Sequence, residues 1–596
     1  MTAFFRWLGS IVAAVLTSVA KFVALLVLVA AVLIVIGLFK GDGIPANSVL
    51  TLDLRQTLAD SSGRPALPLV TRPVTVMDLV FALDAAGRDK RIKGMVMRLG
   101  GGVPLAQAEE LTAAFARFRA HSKFIIAQAT AFEGAGMGDY LTAAAADQIW
   151  LQPRSNFAVA GAGAGEIFLR GLFDKLHAVP QMAKRAEYKS AADMYTEKTM
   201  SGPDREQLNA VMASWYDAAL TAVAGQRHLS KDQVQAAFEA SPQFAEDVKA
   251  KGLVDRIGYD DDALADAMAR AGSGAKVLKI SDYIAAREST PGGAANIAVI
   301  EAAGEIADGT AGGSLLNPSG GIASDDLSEA IRQATRDRNI KAIVLRVDSP
   351  GGSVTASDQI LDAVKKAQAK GKPVVVSMGE LGASGGYYIA ASADRIVAEP
   401  ATLTGSIGVL TGKVSFGGTA DLIGVKMDQV AIGKNTLMDS PVQPFTPEQW
   451  TALNHEADVI YDDFLHKVSA GRKLPLGQVA DVARGRVWTG ADAKAHGLVN
   501  QLGGFWTAAG VAAQLGKVPA DQMQFRVYPR PKGFVEGLSR MFGGAEADLA
   551  TGMTTLAGVS ALLNLAPVQN VTRAVGESPR RGIELRAPDL PQLLRN

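Results

Sequence analysis

"NIKAIVLRV", Asn339 to Val347, is a short apolar run whose pattern already occurs once before, as "RIKGMVMRL", Arg91 to Leu99. The two runs start 248 residues apart (339 against 91). Further along, "DRIVAEP" (Asp394–Pro400) echoes "DQIWLQP" (Asp147–Pro153) at a separation of 247 (394 against 147). "AKAHGLVNQLG" (Ala493–Gly503) echoes "VKAKGLVDRIG" (Val248–Gly258) at 245 (493 against 248). Three matches in one order at a nearly constant shift identify an internal duplication, with copies expected over residues 46–290 and 291–530.

Each copy alternates short apolar runs with helical patterns. In the second copy the order is Ala342–Val347, a helix over Ala356–Ala369, Pro373–Ser377, then a helix after Ser384. Apolar runs of this length, bounded by turn residues, read as buried strands. Strand, helix, strand, helix therefore predicts right-handed βαβ units around a largely parallel sheet, an α/β fold.

Composition narrows the function. A chain of 596 residues is long enough for several domains, and 48% hydrophobic residues supply large cores. The 60 basic and 60 acidic side chains cancel, so no basic field favours nucleic acid as a partner. The absence of cysteine excludes disulfides, thiol catalysis and cysteine-rich zinc sites. Six histidines are scattered, and His455 in "HEADV" lacks the second histidine of a zinc-binding HExxH helix. Neither a catalytic metal nor a cofactor is expected.

Both ends of the chain carry further signals. Phe22 to Phe39, "FVALLVLVAAVLIVIGLF", is 18 uncharged residues between Lys21 and Lys40. At about 1.5 Å per residue it nearly spans the hydrocarbon core of a bilayer. It exceeds the apolar region of a cleavable signal peptide, so an uncut transmembrane anchor is expected within residues 1–45. Arg6 and Lys21 precede the span while Lys40 is soon followed by Asp42, which places the amino terminus in the cytoplasm and the bulk of the chain outside it. Beyond residue 530 the strand and helix pattern decays. A helix over Leu549–Leu565 and a partly disordered end are expected in the extension 531–596.

"GELGASGGYY", Gly379 to Tyr388, puts Ser384 among small residues at the start of a helix. The serine is either a nucleophile or a small residue in a turn. At the local shift of 247, Met137 stands opposite it (384 against 137). Methionine is an awkward substitute for a turn residue, so the exchange suggests chemistry kept in one copy only.

A serine nucleophile needs backbone N–H groups to hold the charge that develops on the attacked carbonyl oxygen. "VDSPGGS", Val347 to Ser353, brings Gly351 and Gly352 to the end of a strand, and the N–H of Gly385 sits at a helix start. Taken alone, either glycine stretch reads equally well as turn punctuation. The first copy's "RLGGGVP" keeps glycines but not the Asp-Ser-Pro context.

No histidine lies in either recurring motif, so the base would be a lysine whose pKa is lowered by burial or neighbouring positive charge. Lys189 in "RAEYKSAADMY" and Lys434 in "AIGKNTLMDSP" occupy roughly corresponding places in the two copies. By chemistry alone each also reads as a solvated surface cation.

"RVDSPGGSVTAS", "GASGGYYIAASADRIVAEPATLTGSIGV" and "GRVWTGADAKAHGLV" together strongly resemble the signal peptide peptidase A family of membrane-anchored serine proteases with a Ser/Lys dyad. The resemblance runs from the anchor to about residue 530. It implies two tandem domains of the fold shared by the Clp protease subunit and the crotonases, after a transmembrane helix. It assigns Ser384 as nucleophile and Gly352 and Gly385 as oxyanion donors. In the long, duplicated form the base comes from the first copy within a Tyr-Lys-Ser motif, which selects Lys189 in Tyr188–Ser190. Short members take it from the serine's own copy, which keeps Lys434 as the competitor. Ser406 in "TGSIGV" is implied to orient the lysine.

The implied partners are the membrane and apolar peptides, cleaved signal peptides above all. The implied assembly is a homotetramer with its catalytic part on the extracytoplasmic, periplasmic side of the inner membrane. Two other function classes stand beside this one: a crotonase-like acyl-CoA enzyme and a catalytically silent membrane scaffold.

Overall fold

The computed structural model describes residue 21 and residues 42–61, 73–133, 136–288, 295–310, 321–529 and 584–586. The expected anchor over 22–39 and the expected helix over Leu549–Leu565 lie outside the described residues. Among those described, no helix is long and apolar enough to cross a membrane.

The duplication is visible strand by strand. In the first copy, six parallel strands lie in the order Arg256–Ile257, Gln148–Leu151, Phe124–Ala129, Ile92–Leu99, Ser48–Asp53, Lys276–Lys279. The second copy repeats that order with Gln501–Leu502, Arg395–Ala398, Val374–Ala383, Ala342–Ser349, Ile297–Ala303 and Phe525–Tyr528, again all parallel. Leu403–Gly405 and Val487–Thr489 extend this sheet from its Val374–Ala383 strand.

These strands are continuous apolar runs because helices cover both faces of a parallel sheet. Six successive residues, Ala342 to Val347, are buried. The covering helices show the matching period. Ser324–Arg336 buries Leu327, Ile331 and Ala334 at four- and three-residue steps. Val354–Ala369 starts where the Ser353 side chain accepts from the N–H of Ala356, and it buries Ile360, Leu361, Val364 and Ala367.

One strand differs in its bounds from the sequence reading. The strand expected over Pro373–Ser377 runs as Val374–Ala383, up to the serine itself, and the following helix is Gly385–Ala390. Gly379 and Gly382 gave the impression of a turn. Here they continue the strand, with a register irregularity between Val347 and Ser349 opposite them.

The copies interlock rather than sit side by side. The helix Phe505–Leu515 buries Phe505, Ala508, Ala509 and Ala512 in the same core as Leu83 and Phe115 of the first copy. Arg346 of the second copy, fully buried, pairs with Asp60 at 2.6 Å and Glu110 at 2.7 Å from the first.

A third sheet also crosses between them, in the order Ile322–Ala323, Ile306–Ala307, Gly351–Ser353, Glu584–Arg586, Val409–Ser415, Val179–Arg185. Its last two strands pair antiparallel, from Val409 opposite Arg185 to Ser415 opposite Val179. Glu584–Arg586 belongs to the extension expected to be partly disordered. It is a strand because both of its neighbours offer free backbone edges.

Candidate functional site

The strand Val179–Arg185 carries the chain out of the first copy and onto the second, and Lys189 follows four residues later. Its short loop is held by backbone contacts to the second copy: the N–H of Tyr188 donates to the Arg484 carbonyl at 3.1 Å. A side chain on Gly485 would run into Lys189, since its Cβ would lie 2.7 Å from both the backbone N and Cβ of that residue. Glycine there lets the two segments touch.

Lys189 is buried in full, and its Nζ lies 2.9 Å from Ser384 Oγ, 2.9 Å from Ser406 Oγ and 3.0 Å from the Ser406 carbonyl. Burial pushes the lysine well below its ordinary value of 10.5, and no carboxylate opposes that push. An ammonium donates to all three oxygens. A neutral amine has two N–H groups and one lone pair. Ser406 accepts the first two, and the lone pair is left for the hydroxyl proton of Ser384.

Ser384 sits at the junction of the strand Val374–Ala383 and the helix Gly385–Ala390, with φ 56° and ψ −116°. This is a backbone region that side chains other than glycine rarely adopt, and it costs about 1–3 kcal/mol. Two hydrogen bonds fix it. The Ser384 N–H donates to the Gly405 carbonyl at 2.8 Å, and the Ser384 carbonyl accepts from Tyr388 N–H at 2.8 Å.

Gly405 also leads into Ser406, whose N–H donates to the Arg486 carbonyl at 2.7 Å. One connection thus positions both serines against the lysine.

The glycines after Val347 meet the start of the serine helix. Gly352 has φ 146°, and a Cβ on it would lie 2.1 Å from the Ile306 carbonyl oxygen of the neighbouring strand, so no other residue fits. A Cβ on Gly385 would lie 3.1 Å from Gly352 N and 2.9 Å from Ser357 Oγ. The two backbones are therefore in contact beside Ser384. First-turn N–H groups have no partner within their helix, so this junction can hold an anionic oxygen.

The structure brings together Ser384, Lys189, Ser406, Gly352 and Gly385. It does not bring in Lys434, which lies in a stretch exposed from Asp421 through Thr436, near Glu448. The chain here projects from the body rather than turning under the serine, so the sequence correspondence between the two lysines is not a correspondence of environment.

Sequence reasoning missed Gln207. Its side-chain N–H groups donate to the Tyr188 carbonyl at 3.2 Å, Ser190 Oγ at 2.9 Å and Asp204 Oδ1 at 2.9 Å, while its Oε1 accepts from Val487 N–H at 3.2 Å. It ties the lysine loop to the second copy. Arg486 was missed as well; its guanidinium lies 4.8 Å above the Tyr188 ring and pairs with Glu206. Gln207 carries no sequence signal, and Arg486, although it stands in "GRVWTGADAKAHGLV", shows its role only through its position after folding.

The first copy preserves the outline of the same junction. Tyr140 donates to the Leu253 carbonyl as Tyr387 does to that of Leu498, which sets Met137 at the place of Ser384. There the glycine loop is already occupied. Gly102 N–H donates to Asp139 Oδ2 at 2.8 Å and Val103 N–H to Asp139 Oδ1 at 3.3 Å.

The family model described as Peptidase family S49 matches residues 117–273 and 366–519, one segment in each copy, and that described as Clp protease matches residues 323–403. The chain is 31% identical to the protein named Serine protease SPPA, chloroplastic, of Arabidopsis thaliana over 488 residues, covering 80% of this chain and 70% of that one. It is 32% identical to Protease 4 of Haemophilus influenzae over 491 residues, with 78% and 76% covered. Against Protease 4 of Salmonella typhi the identity is 31% over 559 residues, 87% of each chain.

Proposed function

Because the chain belongs to peptidase family S49 and is a serine protease, we propose that it is a membrane-anchored endopeptidase working through a Ser384/Lys189 dyad. Its substrates are cleaved signal peptides and other apolar peptides near the extracytoplasmic face. The observation that carries the dyad is the 2.9 Å contact between Lys189 Nζ and Ser384 Oγ, made across the two copies in a site without solvent exposure.

In the proposed reaction neutral Lys189 takes the hydroxyl proton of Ser384, and Oγ bonds to the carbonyl carbon of the substrate. The N–H groups of Gly352 and Gly385 hold the oxyanion. On collapse the C–N bond breaks, the lysine proton passes to the leaving amine, and an acyl-enzyme remains. Water, deprotonated by the same lysine, then releases the acid. Ser406 keeps the amine aimed through two of its hydrogen bonds.

Anchoring through residues 22–39 is supported by the length and apolarity of that stretch. For the homotetramer that the family resemblance implies, exposed apolar side chains near the third sheet support self-association, without fixing the number of subunits. Thr419 donates to the Leu176 carbonyl at 2.6 Å and Val179 lies opposite Ser415, which brings the exposed Leu176 and Val179 close to the exposed Phe416.

The test is incubation of the detergent-purified full chain with a synthetic signal peptide, read by mass spectrometry, against Ser384→Ala. Cleavage within the apolar core by the unaltered chain alone is expected. Equal cleavage by both chains, or cleavage by neither, refutes the proposal.

A further inference from the structure

The two strands that flank the site are not paired with each other. Between Gly351–Ser353 and Val409–Ser415 lies Glu584–Arg586, antiparallel to both, with Leu585 opposite Gly352 and Glu584 opposite Leu410. The flanking strands therefore run parallel to one another, one strand width apart. One of them contains Gly352, and the other begins three residues after Ser406.

Such a slot binds an extended chain by its backbone from two sides, with little demand on sequence. Any peptide whose carbonyl reaches Gly352 and Gly385 must run along the Gly351–Ser353 edge. In this structure that edge is taken, and Ser384, Lys189 and Ser406 are each 0% exposed.

We propose that Glu584–Arg586 occupies the peptide-binding slot in the manner of a substrate, so that the chain's own carboxy-terminal region competes with incoming peptide. The inference rests on the peptidase reading for what the slot normally receives. A tethered segment acts at an effective concentration on the order of millimolar. A free peptide that binds the open slot with a Kd of about 0.1 mM then meets competition that weakens its apparent affinity about tenfold.

The experiment uses full-length chains carrying Ser384→Ala, so that binding is read without turnover. The probe is a dye-labelled heptapeptide, Gly-Ile-Glu-Leu-Arg-Ala-Pro, matching residues 582–588, followed by fluorescence anisotropy. A second chain also carries Leu585→Pro, which removes an N–H and is not tolerated in a central strand. A third carries Leu585→Gly, which weakens the strand while keeping that N–H.

Binding about tenfold tighter to the proline chain, with an intermediate gain for glycine and unchanged melting temperatures, is expected. Equal affinities across the three chains, or no binding to any, overturn the proposal. Hydrolysis is measured separately with Ser384 intact. If no chain cleaves peptide while the affinity differences persist, the peptidase reading fails and the self-occupied slot stands.

Discussion

Replacing Lys189 by methionine keeps an unbranched side chain of similar length and removes the amine. The structure sets the scale of both consequences. Nζ makes three hydrogen bonds, at 2.9, 3.0 and 2.9 Å, each worth about 1 kcal/mol net. The apolar replacement keeps the buried methylenes and leaves no amine to desolvate, which offsets part of that loss. Stability should therefore change by no more than about 2 kcal/mol. Loss of a general base lowers turnover by about 10²–10⁴.

The assay follows a fluorogenic peptide and thermal melting in parallel for the wild type, Lys189→Met and Lys434→Met. Lys189→Met should melt within a few degrees of wild type and lose at least a hundredfold in kcat, whereas Lys434→Met should match wild type in both. A Lys189→Met chain that keeps more than a tenth of the activity refutes the reasoning, as does a comparable loss in Lys434→Met.

The same residue fixes two pH dependences. Its folded pKa is depressed by burial, so between that value and 10.5 the unfolded chain binds more protons than the folded one. Stability must rise with pH across this window, and the methionine chain must lack that contribution. Activity must rise with pH as the ammonium loses its proton, with a midpoint below 10.5.

Three further outcomes follow from other parts of the molecule. Gly352→Ala forces a methyl group to within 2.1 Å of the Ile306 carbonyl oxygen; kcat should fall by at least tenfold and melting should drop measurably, both read on purified protein. Arg346→Met leaves the buried Asp60 and Glu110 carboxylates without their cation, which should cost about 3–5 kcal/mol in denaturant titration. Burial, reinforced by the Asp60 and Glu380 charges, pushes Asp348 up to about 8. The stability it contributes is full below about pH 4 and lost as pH rises through about 8. Asp348→Asn should thus flatten the fall in melting temperature between pH 5 and 8.

The duplication and its parallel sheets were readable in the sequence because "KAIVLRV" and "KGMVMRL" must each be apolar through both faces of a sheet. Ser384 was readable because Met137 stands opposite it in the other copy and because of the family resemblance, which alone singled out Gly352 and Gly385 from ordinary turn glycines. The partner of Ser384 could not be read from the residues alone. Lys189 and Lys434 stand in corresponding positions, and only the pairing of Val179–Arg185 with Val409–Ser415 buries one and not the other. That contact spans 195 residues of chain. Nor could the strand at Glu584–Arg586 be foreseen, since three residues carry no period and the segment is ordered by the edges it meets.

Asp139 turns the comparison of the copies into a statement about constraint. Its carboxyl group, accepting from Gly102 and Val103, fills the glycine loop of the first copy, where the second copy leaves that place to a charge that develops only in the proposed reaction. Restoring a hydroxyl by Met137→Ser would therefore revive nothing, because Asp139 already takes the N–H groups that an oxyanion would need. The glycine loop of the first copy is thus closed by a side chain of its own, while that of the second copy is left to the backbone of whatever chain lies beside it.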